Sequence, residues 1–392
     1  MAIYLDHAAT SPLRPPVLEA MLPYLTEHAG NPSSLHGSGR RARQGVDEAR
    51  EAIAQVIGAQ PREIVFTGGG TEADNLAVKG VGWAATGRGR HVITTAVEHK
   101  AILNSVAILQ RSGFEVTVLP VDRYGRVDPV DVAAALTERT TLVSVMAANN
   151  EVGTRQPIAA IGEIMRGHAA RFHVDAVQGA AHEPIDVNAW QADLVSLSAH
   201  KLGGPQGVGA LFVRRGTQLL PQLQGGSQER QRRAGTENVA GIVGFGAAFR
   251  LVHADPNARS AEANRLKSLC VRLRDGLLAF EGVTLTGHPE DRLPNNLSVV
   301  IEGVEGGDLV AALDLEGVET STGSACTSGS TEPSHVLLAM GIDSHLAHGS
   351  LRLTLGPETS EADMDAMLAA LQLVLPRLRA VRGLQPKAAV PA

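Results

Sequence analysis

Between residues 64 and 213, seven short runs rich in β-branched and apolar residues alternate with amphipathic segments; the runs are EIVFTG, HVITTAV, FEVTVLP, TTLVSVMAANN, RFHVDAV, ADLVSLSAH and VGALFVRR. They are apolar nearly throughout rather than at every second position, which describes strands buried on both faces and hence a mostly parallel sheet. Parallel neighbours need crossover connections, and segments such as 74–85 and 158–169 have the amphipathic pattern of helices that would supply right-handed ones. The expected fold is therefore α/β, a seven-stranded sheet flanked by helices. In such sheets ligands bind outside the carboxyl ends of the strands.

After Phe249 the pattern changes. Leu266, Leu269, Cys270, Leu273 and Leu277 fall at helical spacing, followed by LPNNLSVVIEG, a Gly/Ser/Thr-rich stretch and a final helical pattern over 360–381. We read a large domain over 12–250 and a smaller α+β domain over 251–392 that also takes in residues 1–11. The 392 residues are too many for one core to be the default expectation. The Pro/Ala-rich tail GLQPKAAVPA is expected to fray.

Charge and composition exclude several classes. With 35 basic and 41 acidic residues the formal charge is -6, and no Lys/Arg run is long enough to track a nucleic-acid backbone. No stretch approaches the roughly 18–20 apolar residues of a membrane span, and MAIYLDHAAT lacks the basic-then-apolar pattern of a leader. A cytoplasmic protein is expected. Two cysteines argue against a disulfide framework.

Three strand ends carry groups able to do chemistry. EIVFTG runs into Gly68-Gly69-Gly70-Thr71-Glu72 and then a helical pattern, so backbone N–H groups, a helix dipole and a hydroxyl converge where a phosphate could sit. The spacing fits neither a Rossmann fingerprint nor a P-loop, and a turn packed close to the sheet is the competing reading. Lys201, in SLSAHKLGGPQG, ends a strand at the ligand-binding edge and could be a desolvated nucleophile towards an aldehyde, or simply an exposed loop lysine. Asp175, in HVDAVQG, is a strand-end carboxylate able to keep a pyridine nitrogen protonated, or a solvated one. The three together, on one α/β domain, favour a pyridoxal phosphate site.

These segments resemble the cysteine desulfurase family, in its NifS/IscS-like branch, over nearly the whole chain. The likeness rests on YLDHAAT, GNPSSLHGSGR, FTGGGTEADNLA, the EH of AVEHK, NNEVG, HVDAVQ, SLSAHK, RRAGTEN, TGSACTSG and SLRLTLG, in that order. The resemblance implies a pyridoxal 5'-phosphate-dependent transferase of fold type I. It implies that Lys201 carries the cofactor covalently, Asp175 pairs with its ring nitrogen, Gln178 contacts its ring hydroxyl and His99 stacks on the ring. Gly70, Thr71, Ser198 and His200 would hold the phosphate, joined by Thr236 from the other subunit of a homodimer. Asn150 and Arg352 would bind the substrate, with Asn31 a further contact and His36 near the entrance. Gly70 departs from the alanine frequent in the family, and Gln206 from its lysine.

The cysteines separate on local grounds. Cys270 falls on an apolar helical stripe, the setting of an inert buried thiol. Cys326 lies in TGSACTSG, whose small residues cannot build a core but can bring a thiol to a cleft. The resemblance makes it the sulfur acceptor. L-cysteine would give L-alanine and a persulfide on Cys326, for an iron–sulfur scaffold or a transfer-RNA thiolation enzyme. The alternatives are a selenocysteine lyase, another β-eliminating or aminotransferase-like enzyme of the same cofactor class, and a silent scaffold. His335, His345 and His348 match no metal-ligand spacing, and no metal is expected.

Overall fold

The computed structural model describes residues 2–323 and 332–381; Cys326 and the tail beyond residue 381 lie outside the described residues. In chain order the strands are β1 (Ile3–Tyr4), β2 (Ile64–Thr67), β3 (His91–Thr95), β4 (Glu115–Leu119), β5 (Thr140–Met146), β6 (Arg171–Asp175), β7 (Leu194–Ser198), β8 (Gly209–Val213), β9 (Val283–Thr286), β10 (Asn296–Ile301), β11 (Val318–Glu319) and β12 (Ser350–Thr354). The seven apolar runs become β2 to β8, in the order β2-β8-β7-β6-β5-β3-β4. Only β8 runs antiparallel to its neighbours, so the carboxyl ends of the other six share one edge.

Burial follows the sequence pattern. Strands β3, β5, β7 and β8 are buried at every position, whereas β4, at one edge of the sheet, is mostly open. One face packs Val46, Ile53 and Ile57 of the Gly37–Ile57 helix and Phe245 and Phe249 of the Val239–His253 helix against Phe66, Phe172 and Phe212. The other packs Leu76 and Val81 of the Gly70–Ala84 helix with Ile102, Val106 and Leu109 of the Lys100–Arg111 helix.

Two helices differ from their expected ranges, and glycine accounts for both. The helix expected over 74–85 spans Gly70–Ala84, because Gly69, at φ +151, turns the chain out of β2 and starts the helix immediately. The one expected over 158–169 stops at Met165, before left-handed Gly167.

A separate core holds Leu5, Leu266, Leu269, Cys270, Leu273 and Leu277 with Val299, Leu351, Leu353 and Leu371. It lies under the antiparallel sheet β12-β10-β9, the Pro256–Leu278 helix and the Glu361–Val381 helix. Strand β1 joins it by pairing with β11. Cys270 is buried there, and burial pushes its thiol up to about 12. Among the described residues no helix is long and apolar enough to cross a membrane.

Phe172 is fully buried in β6, three residues before Asp175. Phe172→Ala should lower stability by about 3–5 kcal/mol, read from urea unfolding, through lost burial and the cavity left behind.

Candidate functional site

A cavity of about 360 Å³ opens at the shared carboxyl edge of the sheet. Five strands deliver residues to it from their ends: β2 through Gly70 and Thr71, β3 through His99, β5 through Asn150, β6 through Asp175 and Gln178, β7 through Ser198, His200 and Lys201. Arg352, on β12, closes the far side. These ten residues anticipated from the sequence line one space.

The floor is acidic and dry. Asp175 is buried and its Oδ1 accepts from Val177 N–H at 3.0 Å. Burial pushes its carboxyl up, while nearby His99, the Val177 N–H and Lys201 pull it back. Asp74, from the first turns of the Gly70–Ala84 helix, also lines the cavity. Burial first, and Asp175 second, raise it well above the carboxylate range, and its Oδ1 has no hydrogen-bond partner. Behind them Glu98 accepts from Thr95 Oγ1 (2.7 Å) and Met146 N–H (3.0 Å), and burial pushes it up to about 8. A cationic ring nitrogen placed against Asp175 would pull it towards ionisation, in the same direction as His99 and Lys201.

Lys201 sits on the 3-10 turn Ala199–Leu202 that ends β7. Its Nζ donates to the carbonyls of Ala8 (2.5 Å) and Ala9 (2.6 Å), and Gln178 Nε2 donates to Ala8 at 3.0 Å. The DHAAT segment thus forms a wall, a role that the motif gave no local reason to expect. His200 shares a hydrogen bond with Thr10 Oγ1 at 3.1 Å, and burial lowers its ring to about 4.

At the cup, a Cβ on Gly70 would lie 2.7 Å from Val177 Cγ2 and 3.5 Å from Ser198 Cβ. Valine two residues after Asp175 therefore demands glycine here, which gives a physical reason for the departure from alanine. Arg352 is almost fully buried, with Nη2 on Asp6 Oδ1 (2.7 Å), Nη1 on the Asn150 carbonyl (3.1 Å) and Nε unpartnered. A guanidinium held this way, with one N–H unsatisfied, is prepared for a further anionic oxygen.

Other anticipated residues lie elsewhere. Asn31 is exposed and its Oδ1 accepts from Ser33 N–H; His36 caps the Gly37–Ile57 helix through Gly39 N–H. Thr236 is exposed and does not line this chain's cavity. Cys326 lies outside the described residues, but the chain on both sides of that segment approaches one carboxylate. Gly323 packs against Glu151, and Ser334 Oγ donates to Glu151 Oε2. His335, next to Ser334, lines the cavity and bonds the Glu98 carbonyl through Nε2 at 3.0 Å. Asp74, Glu98, Glu151 and His335 were all missed as site residues. Asp74, Glu98 and Glu151 lie inside the FTGGGTEADNLA, AVEHK and NNEVG motifs, which were the available signal.

The chain is similar to known proteins in sequence and in fold. Residues 3–367 match the family model described as aminotransferase class-V. The chain is similar to cysteine desulfurase IscS of Methanosarcina thermophila, 48% identical over 387 residues that cover 98% of this chain and 95% of the relative. Among solved structures it resembles a NifS-like protein (TM-score 0.90, 37% identity, 96% of this chain and all of that one). It also resembles SspA in complex with cysteine (TM-score 0.80, 34% identity, 91% of this chain and all of that one).

Two outcomes follow. Gly70→Ala should weaken cofactor affinity about tenfold, and adding Val177→Ala should restore it, both read by titrating apoprotein. Glu98 keeps its proton in the fold up to about pH 8, whereas in the unfolded chain it ionises near 4.5. The stability tied to it is full below the lower value and is lost as pH rises through the upper one. Urea midpoints compared at about pH 6 and about pH 8.5 should therefore fall less for Glu98→Gln than for the parent chain.

Proposed function

Since this chain belongs to the aminotransferase class-V family and is a pyridoxal phosphate-dependent cysteine desulfurase, we propose that L-cysteine gives up its sulfur in the cavity lined by Lys201, Asp175 and His99, and that Cys326 carries the sulfur away. The observation that supports this most is the convergence of a strand-end lysine, a desolvated strand-end carboxylate and a glycine cup on one cavity. A cup for an anion, a carboxylate floor and an amine within one space of about 360 Å³ fit pyridoxal phosphate.

When bound, the cofactor supplies an electron sink that stabilises negative charge at the Cα of an amino acid. Lys201 would hold it through Nζ, Asp175 would keep its ring nitrogen protonated, and Gln178 would meet its ring hydroxyl. Gly70, Thr71, Ser198 and His200 would bind its phosphate, with Thr236 reaching in from the second subunit of a homodimer. Arg352 would grip the substrate carboxylate beside Asn150, with Asn31 a further contact. Displaced by the substrate amine, Lys201 Nζ would be a free amine able to take the Cα proton, and His99 would move protons at the substrate sulfur. The C–S bond breaks as Cys326 Sγ attacks the sulfur, and an S–S bond forms. The electron pair of the C–S bond stays with the carbon, which gains a proton and leaves as L-alanine. No outside oxidant is required.

In this reading the 12–250 domain holds the cofactor, and residues 251–392 with 1–11 bring Arg352 and Cys326. The persulfide then passes to an acceptor, either an iron–sulfur scaffold or a transfer-RNA thiolation enzyme, in the cytoplasm, where thiols stay reduced.

Cys326→Ser should abolish persulfide formation and sulfide release while preserving the cofactor's absorption band and its change on adding L-cysteine. Lys201→Ala should remove the borohydride-reducible band altogether. Full turnover by the first variant, or an unaltered reducible band in the second, would contradict the assignment.

A further inference from the structure

Strand β2 leads directly into the glycine cup, yet it is an edge strand whose only sheet neighbour among the described residues is β8. Its outer polar groups are taken instead by a buried ion pair from two distant parts of the chain. Glu229 Oε2 accepts from Phe66 N–H at 3.0 Å, and Arg50 Nη1 donates to the Ile64 carbonyl at 2.6 Å. Arg50 and Glu229 grip each other through two parallel bonds of 2.8 and 2.7 Å, with side chains only 4% and 2% exposed. Arg50 also lies over the Phe66 ring, 4.7 Å from its centre. The pair thus replaces a neighbouring strand and fixes the height of β2.

A second anchor lies four residues further on. Arg233 Nε and Nη2 bond the two Glu72 oxygens at 2.8 and 3.3 Å. Glu72 Oε2 in turn accepts from Gly68 N–H at 2.6 Å, so the carboxylate ties the first turn of the Gly70–Ala84 helix to the first glycine of the cup. Arg233 also neutralises a carboxylate that would otherwise repel a phosphate close by. From the first anchor onward, Glu229, Arg230 and Gln231 all take left-handed backbone angles, at φ 46, 57 and 65. Three successive side-chain-bearing residues adopt this conformation only where their surroundings compel it.

We propose that residues 229–233 form a clip that sets the shape of the phosphate cup from outside the cavity, with Glu229 and Arg233 as positioning residues for the cofactor's phosphate. The proposal rests on the cofactor reading above. It assigns the strained turn a purpose: it spans the two anchors, one holding the strand before the cup and one the helix after it.

The test uses apoprotein titrated with pyridoxal phosphate, with pyridoxal, which lacks the phosphate, and with inorganic phosphate. Arg233→Gln should weaken pyridoxal phosphate and inorganic phosphate about tenfold while leaving pyridoxal affinity unchanged. Glu229→Gln should show the same selectivity if it folds. Gln231→Gly suits the left-handed angle and touches neither anchor, so it should bind all three as the parent does. Parent-like phosphate binding by Arg233→Gln would overturn the clip, as would an equal loss of pyridoxal affinity. A parent apoprotein that bound no pyridoxal phosphate would instead overturn the cofactor reading, and the clip with it.

Discussion

The shared direction of six strands governs the rest of this molecule. A parallel strand cannot return by a hairpin, so the chain must leave each carboxyl end through a loop and cross a face before the next strand. Gly68 to Thr71, Glu98 and His99, Asn149 and Asn150, Asp175 to Gln178 and Ser198 to Lys201 are all such exits. Residues more than a hundred positions apart meet because the sheet gives them no other edge. Strand β8 is the exception, and its reversed direction lets β2 lie at the rim with its own carboxyl end still on the productive side.

That edge concentrates carboxylates where water is scarce. Asp74, Glu98 and Asp175 are each pushed up by burial, and Asp175 raises the other two further. Opposing this, Lys201 and His99 lower Asp175, and hydrogen bonds from Thr95 and Met146 lower Glu98. His173 behind them is fully buried and lowered to about 3, a neutral ring bonded to Ser144 and Ser196 at 2.9 Å each. A neutral imidazole cannot neutralise Asp74, although the two lie 3.8 Å apart. The floor therefore carries less negative charge than its composition indicates, and a cationic group entering the cavity would draw Asp175 towards ionisation. This is the electrostatic condition a pyridinium needs.

The sheet and the strand-end residues of the cavity could be read from the sequence because both are written locally. Seven apolar runs specify the seven strands of the sheet, buried along most of their length except at the edge strand β4, and a strand end specifies the ligand edge, which made Lys201, Asp175 and Gly70 candidates together. The rest of the lining was not legible, since it depends on contacts across long separations. Ala8 and Ala9 matter through their backbone carbonyls, which leave no mark in residue type. Asp74 reads as an ordinary polar position in an amphipathic helix until the fold turns it inward. The requirement for glycine at position 70 becomes visible only when Val177 is brought against it.

Arg352 shows how the smaller core is drawn into the chemistry. Its strand, β12, pairs with β10 over a core that shares no side chain with the large sheet. Yet its guanidinium reaches Asp6 beside β1 and the Asn150 carbonyl beyond β5. A fully buried arginine left unpaired would be strongly unfavourable, so these partners must be in place whenever the fold is. The Thr354–Leu5 and Ala8–Thr354 hydrogen bonds, from N–H to carbonyl and from N–H to hydroxyl oxygen, add backbone ties along the same line. The N-terminal segment that walls the lysine is thereby fixed to the strand that presents the arginine. A movement of the smaller core would therefore carry Arg352 and the Ala8–Ala9 wall together, and the two hydrogen bonds from Lys201 Nζ to that wall tie them to the large sheet.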